Sequence, residues 1–118
     1  MIRFSESCWV KCGIEFTDGA MHFSVVVTND NSDWSQMPVR ADNNTIRTRL
    51  TRHGEAVRFQ YFDQNDDFWK AACLAYIPKA TKIDVGIVCC SPEREGFRAS
   101  FTDFSIKNPV SRELHQEN

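Results

Sequence analysis

The dipeptide Asp18-Gly19, set between two alternating runs, constrains this chain more than any other local feature. Asp-Gly between alternating hydrophobics signals a two-residue type I′ turn, because both central positions need positive φ and these residues tolerate it. Residues 8–28, CWVKCGIEFTDGAMHFSVVVT, therefore form a β-hairpin whose register follows from the turn. Phe16 faces Met21, Ile14 faces Phe23, Cys12 faces Val25 and Val10 faces Val27, so one side of the ribbon is apolar. The other side sets Glu15 against His22, Gly13 against Ser24, Lys11 against Val26 and Trp9 against Thr28. That mixture of charge, aromatic ring and small polar groups is unusual for a face that is merely solvated.

A second hairpin is expected over residues 45–61, with His53-Gly54 as its turn. That register pairs Leu50 with Val57, Thr48 with Phe59 and Ile46 with Tyr61, and brings Arg52 to Glu55. Its opposite face is basic, with Arg49 opposite Arg58 and Arg47 opposite Gln60. Like charges directly across a strand pair are destabilising. A carboxylate (Glu15, Asp84 or a loop acid) or a bound anion or sugar should therefore lie nearby.

The remaining segments read as short strands and turns. Residues 1–4 alternate and lead through Ser5-Glu6-Ser7 into the first hairpin. Residues 29–38, NDNSDWSQMP, are rich in side chains that hydrogen-bond their own backbone, which predicts a long ordered loop held by Trp34. Residues 68–76 form a strand after the turn cluster at residues 62–67, and Pro78 ends it. Residues 83–90, IDVGIVCC, form a near-continuous apolar run, expected as a strand buried on both sides, with Gly86 marking a close approach. Residues 97–106 alternate with a change of phase near Asp103 that suggests a bulge. The tail at residues 107–118 is polar and expected to be mobile. Eight short strands without helical periodicity predict an all-β antiparallel sandwich or barrel occupying residues 1–106.

Composition narrows the function classes. A chain of 118 residues is one domain, able to bury a core without staples. With 14 basic and 16 acidic residues and no long charge run, neither nucleic acid nor an anionic membrane is indicated as a partner. Nor is there an apolar run long enough to span a bilayer. The five cysteines include no C-x-x-C pair, and no secretory leader precedes them, so reduced thiols in the cytoplasm are expected. Cys8 and Cys12 would stand roughly 13 Å apart on one strand, too far to bridge. The cysteines are expected as small buried hydrophobes, with no metal and no cofactor. Glycine-rich phosphate loops and dinucleotide fingerprints are absent.

Four stretches carry a resemblance: WVKCGIEF, HFSVVVTNDNSDWS, RLTRHGEAVRFQYFDQNDDFWK and VGIVCCSPEREGFRASFTDFSI. Together they resemble the regulation-of-enolase protein family, a domain of unknown function in the concanavalin A-like lectin and glucanase superfamily. The resemblance implies a jelly-roll sandwich whose concave sheet holds a ligand, and a link to enolase and carbohydrate metabolism. It covers roughly the C-terminal half of the family domain. An N-terminally incomplete sandwich is therefore expected, with uncovered edges that favour self-association. Glucanases of that superfamily resemble one another in a strand bearing two or three acids at alternate positions, as a retaining mechanism requires. Here Glu15 is the only acid on its strand face.

The expected ligand-binding set is therefore Trp9, Lys11, Glu15, His22 and Ser24 from the first hairpin, Asp33 and Trp34 from the loop, and Arg47, Arg49, Arg58 and Gln60 from the second hairpin. If the two hairpins share a sheet, these residues line one surface suited to a carbohydrate or small polar metabolite. A protein-interaction module acting through exposed edges is the alternative, and a sugar-active enzyme using Glu15 and His22 ranks third.

Overall fold

The computed structural model describes residues 1–40, 45–80, 82–93 and 95–110. The C-terminal part of the expected tail, residues 111–118, lies outside them. Among the described residues the chain is all strand, arranged as two antiparallel sheets. The strands are β1 (Ile2–Ser5), β2 (Cys8–Thr17), β3 (Ala20–Asn29), β4 (Asn31–Pro38), β5 (Thr48–His53), β6 (Ala56–Asp63), β7 (Phe68–Tyr76) and β8 (Asp84–Val85). One sheet has the order β4-β3-β2-β1-β8 and the other β5-β6-β7.

The first hairpin forms in the expected register, from Cys8 opposite Asn29 to Thr17 opposite Ala20. Its turn residues are left-handed, Asp18 at φ 52° and Gly19 at φ 73°. Its apolar face supplies Val10, Phe23 and Val25 to a core completed by Ile2 and, from the second sheet and its exit, Val57, Phe59, Ala75 and Ile77. The sheets meet where the Phe23 and Tyr61 rings lie 5.2 Å apart. Arg52 ties the sandwich rim, with its guanidinium 5.5 Å from the Phe4 ring and its Nε donating to the Gly54 carbonyl. Removing the apolar faces of both sheets from water is the main stabilising term for such an arrangement.

The second hairpin turns at Gly54-Glu55, one residue later than expected. Leu50 pairs with Phe59 and Thr48 with Tyr61, and Arg49 sits opposite Gln60, not Arg58. The strand pairing has moved by two residues, so every side chain keeps its face. The shift also removes the direct opposition of two arginines, which gives a physical reason for this register.

Three other expectations are corrected. Residues 31–38 form an edge strand, not a loop, because a left-handed Asp30 (φ 62°) reverses the chain between Asn29 and Asn31. An edge strand needs only backbone pairing on one side, and polar side chains suit its exposed position. The 83–90 run is not a doubly buried strand. Only Asp84 and Val85 form a strand, paired with β1 and continued by two backbone hydrogen bonds between Gly86 and Met1, while Ile87 and Val88 are exposed and a Cβ at Gly86 would meet nothing within 4 Å. Residues 97–106 form no strand among the described residues, and Phe97, Phe101, Phe104 and Ile106 are exposed. Asp103, the expected bulge, has φ 56° outside any ladder. The cysteines divide as well. Cys8, Cys12 and Cys73 pack against the core, Cys89 and Cys90 are exposed, and all five are free. Burial pushes the Cys12 thiol up to about 12, as expected of a desolvated thiol in an apolar layer.

Candidate functional site

Because each hairpin turns its apolar face to the shared core, the two polar faces point away from each other. The eleven expected site residues are thus not one surface. Trp9, Lys11, Glu15, His22 and Ser24 lie on the outer face of the five-stranded sheet, whereas Arg49, Arg58 and Gln60 lie on the outer face of the three-stranded sheet. Sheet membership depends on long-range packing, to which hairpin alternation is blind.

On the five-stranded sheet, β4 adds its own alternate residues to the outer face. Trp34 lies opposite Val26, and its indole Nε1 donates to Ser24 Oγ at 3.0 Å. Thr28 and Ser32 share a hydroxyl hydrogen bond of 2.7 Å. His22 is buried, and its Nδ1 lies 3.1 Å from the Ala20 carbonyl. Glu15 stands beside His22 in register, but among the described residues no hydrogen bond joins them. The acid–base pair considered from sequence is therefore not assembled. Lys11 sits 5.6 Å from the Trp9 ring centroid. Asp33 lies opposite Val27, so it points to the other side of the sheet from Trp34. Trp34 itself is 59% exposed, neither buried nor enclosed. On this face the short polar groups Ser24, Thr28 and Ser32 are paired by hydrogen bonds, beside the larger Trp9, Lys11, Glu15 and Trp34.

The outer face of the three-stranded sheet differs. Along the central strand β6, Arg58, Gln60 and Phe62 alternate outward. Arg58 and Gln60 are buried, Gln60 completely. Arg49 on β5 donates from Nε to Gln60 Oε1 at 3.0 Å and crosses β6 to place its guanidinium 4.3 Å from the Trp69 ring on β7. Arg47, exposed, lies 5.3 Å from both the Phe62 and Trp69 rings, which themselves meet edge to face at 5.5 Å. Two guanidinium groups thus share one indole. The register Phe62 opposite Trp69 creates the stack, and a bulge after Phe59 sets it by letting Gln60 face Ala71. Burial, followed by the charges of Arg58 and Arg47, lowers the Arg49 pKa. Neither Glu15 nor Asp84 belongs to this sheet. Gln60 Nε2 and His53 Nε2 are buried without a hydrogen-bond partner among the described residues. Beside Trp69, a cleft of about 240 Å³ is lined by Phe68, Trp69, Lys70 and Ala71. Trp69 and Phe62 were missed as site residues. The signal for them was present, since counting alternate positions from Arg58 along β6 reaches Phe62, and its hairpin partner is Trp69.

At the far turn of this sheet Lys70 pairs with Asp63 at 2.7 Å and with Asp66. The hydrogen bond from Lys70 holds the Asp63 carboxyl below the usual range, helped by the Asn65 and Asp66 backbone N–H groups. Among the described residues no group of three or more His, Cys, Asp or Glu could hold a metal ion. No helix there is long and apolar enough to cross a membrane.

Two antiparallel sheets sharing one apolar core, with one outer face neutral and the other cationic and aromatic, define an all-β sandwich-type domain. The chain belongs to the family described as protein of unknown function (DUF1349), which matches residues 1–109. It is 32% identical over 115 residues to Regulation of enolase protein 1 of Saccharomyces cerevisiae, a match covering 98% of this chain and 58% of that protein. It also resembles the crystal structure of a functionally unknown protein from Saccharomyces cerevisiae, with TM-score 0.63 and 29% identity over 70% of this chain and 44% of the other. The chain thus spans a little over half the length of the curated relative.

Proposed function

We propose that this domain is a non-catalytic binding module for a small polar metabolite or carbohydrate, and that its ligand face is the outer face of the three-stranded sheet. The observation that carries the proposal is the stack of Arg47 and Arg49 on Trp69 beside a cleft, above buried Arg58 and Gln60. An aromatic platform ringed by a few fixed polar groups is a common form of small-ligand site. The two-sheet layout supports a concanavalin A-like jelly roll for residues 1–106, and five free thiols support a reducing, cytoplasmic setting. A thermal-shift screen of saccharides and small metabolites tests the proposal. Stabilisation that Trp69→Ala abolishes and Trp9→Ala leaves intact supports it. Stabilisation lost in Trp9→Ala alone moves the site to the five-stranded sheet.

A second reading, a protein-interaction module that regulates an enzyme of carbohydrate metabolism, draws on the relative's name and on the exposed Ile87, Val88, Phe97, Phe101, Phe104 and Ile106. Apolar side chains concentrated in one exposed segment favour association, with another protein or a second copy of this chain. A silent ligand screen together with a concentration-dependent mass by light scattering would favour this reading.

A further inference from the structure

We propose that residues 97–106 are an exchange arm: the segment of one copy adds as a strand to the β7 edge of a second copy, which returns its own segment and closes a two-fold dimer. The inference rests on the protein-interaction reading and names the partner as a second copy of this chain.

The segment, FRASFTDFSI, has the pattern of a half-buried strand. Among the described residues it joins no ladder, and all ten of its residues are exposed. It therefore stands off the sandwich it belongs to. Phe97, Ala99 and Phe101 fall on one face at strand spacing. Left-handed Asp103, at φ 56°, supplies the extra residue of a bulge, which brings Phe104 and Ile106 to that same face. The opposite face carries Arg98, Ser100 and Ser105. A strand with one apolar and one polar face is stable only as part of a sheet with a core beneath it.

The smaller sheet offers the place. β7 ends the three-stranded sheet, so among the described residues one row of its backbone N–H and C=O groups has no ladder partner. Leu74 and Tyr76 stand exposed on the same strand. Three strands facing five also leave this layer two strands short, roughly 10 Å at ordinary strand spacing. Phe16 and Val85, which belong to the inner face of the wider sheet, are accordingly still exposed.

Area and charge select a second copy. Phe97, Phe101, Phe104, Ile106, Leu74 and Tyr76 are each more than half exposed, which leaves roughly 650 Å² of their surface open per copy. Reciprocal exchange covers that surface on both copies, about 1,300 Å², inside the range of stable interfaces. The segment carries one cation and one anion, Arg98 and Asp103, and the whole chain has a net charge of -2, so two copies meet with little repulsion. A different protein would have to supply both an edge for the segment and a strand for β7. A second copy supplies both, and exchange of an identical element closes at two.

The test measures mass by light scattering and backbone hydrogen exchange across a dilution series. The expected result is the mass of two chains at high concentration, falling to one on dilution. Residues 97–106 and β7 should exchange slowly in the dimer and lose that protection together. Phe101→Glu, at an exposed position, should weaken the dimer at least about tenfold. Ala99→Pro and Ser100→Pro leave the large apolar side chains in place, and because they are adjacent one of them removes an N–H directed at β7. At least one of the two should therefore weaken the dimer as much. A dimer that survives both proline variants overturns strand exchange. A single-chain mass at every concentration with residues 97–106 exchanging freely overturns the second copy and keeps an interaction module for a different protein. A single-chain mass with those residues protected means that the segment packs on its own sandwich, and overturns both.

Discussion

The two hairpins are built by the same rule and finish differently. Each buries one apolar face against the other, yet on the outer face of the first the short polar groups pair with one another, whereas the outer face of the second carries arginines stacked on aromatic rings above a buried glutamine. On the first, Thr28 answers Ser32 and Ser24 answers Trp34. On the second, Arg49 reaches across a strand to an indole, and a completely buried glutamine keeps a donor without a partner among the described residues. Buried polar groups are costly unless matched. The difference teaches that the inner faces carry the stability of this sandwich, and that its two outer faces arrange their polar groups in different ways.

The largest expected effects come from the layer the hairpins share. Phe59→Ala and Phe23→Ala each remove a ring that is at most 1% exposed and leave a cavity, at a cost of roughly 3–5 kcal/mol. Urea unfolding should show one transition for each variant, with the midpoint lowered by tryptophan fluorescence and by far-ultraviolet circular dichroism alike. Two separated transitions would mean that the sheets unfold independently, and the comparison of their outer faces would become one between two separate structures.

Next in size is a substitution aimed at the contrast itself. Gln60→Glu places a carboxylate beneath Arg49 and near Arg58, and at neutral pH should stabilise by about 1.5–3 kcal/mol, as hydrogen bonds to charged groups do. The comparator, Thr28→Val on the other sheet, loses a satisfied hydroxyl pair and should cost about 1 kcal/mol. Denaturant midpoints of the two variants should therefore move in opposite directions. If Gln60→Glu destabilises instead, the charge of that face is already balanced and the electrostatic half of the contrast falls.

What could be read from sequence follows the range of the interactions. The first hairpin was legible pair by pair, because Asp18 and Gly19 pin the turn locally. In the second, Gly54 gave the turn but not its exact centre, and a two-residue shift left the faces right while changing the partner of Arg49. The strand at Asn31–Pro38 was hidden by its polarity, since an edge strand need not look buried. The 83–90 run misled in the opposite direction. Its apolar residues state a demand for burial, and no local pattern says whether a partner meets it. Most of the candidate site was named from sequence, yet its division between two opposite faces was not, because a hairpin's own residues do not record which sheet it joins. The Trp69 platform is legible only from the alternation along β6, which carries Phe62 to the outer face opposite Trp69, and not from the pattern of charge.

A smaller effect tests how passive the first outer face is. Trp34→Ala removes an exposed ring and one hydrogen bond to Ser24, and should lower stability by no more than about 1 kcal/mol. It should leave the Trp69 indole signal where it was. A larger loss, or a change at Trp69 on the opposite side of the sandwich, would show that the two outer faces are coupled through the core.

The smallest effect sharpens the contrast within the three-stranded sheet, between a lysine paired with acids and arginines stacked on aromatic rings. Lys70 hydrogen-bonds Asp63 and Asp66 at the β6–β7 turn, and that contact depresses the Asp63 carboxyl. A carboxyl whose folded pKa lies below its unfolded value adds stability that is present above the unfolded pKa and lost as pH falls through the folded one. The loss therefore falls on the acid side of the ordinary carboxylate range. Lys70→Met removes the largest cause, so Asp63 should titrate at higher pH, and that part of the acid-side dependence should flatten. Because the pair is exposed, the change in stability at neutral pH should be slight. A ¹³C carboxyl titration of Asp63 in the two proteins measures it. An Asp63 that titrates in the ordinary range in both would show the contact to be absent in solution. The arginine stack would then be the better ordered of the two charged clusters described on this sheet.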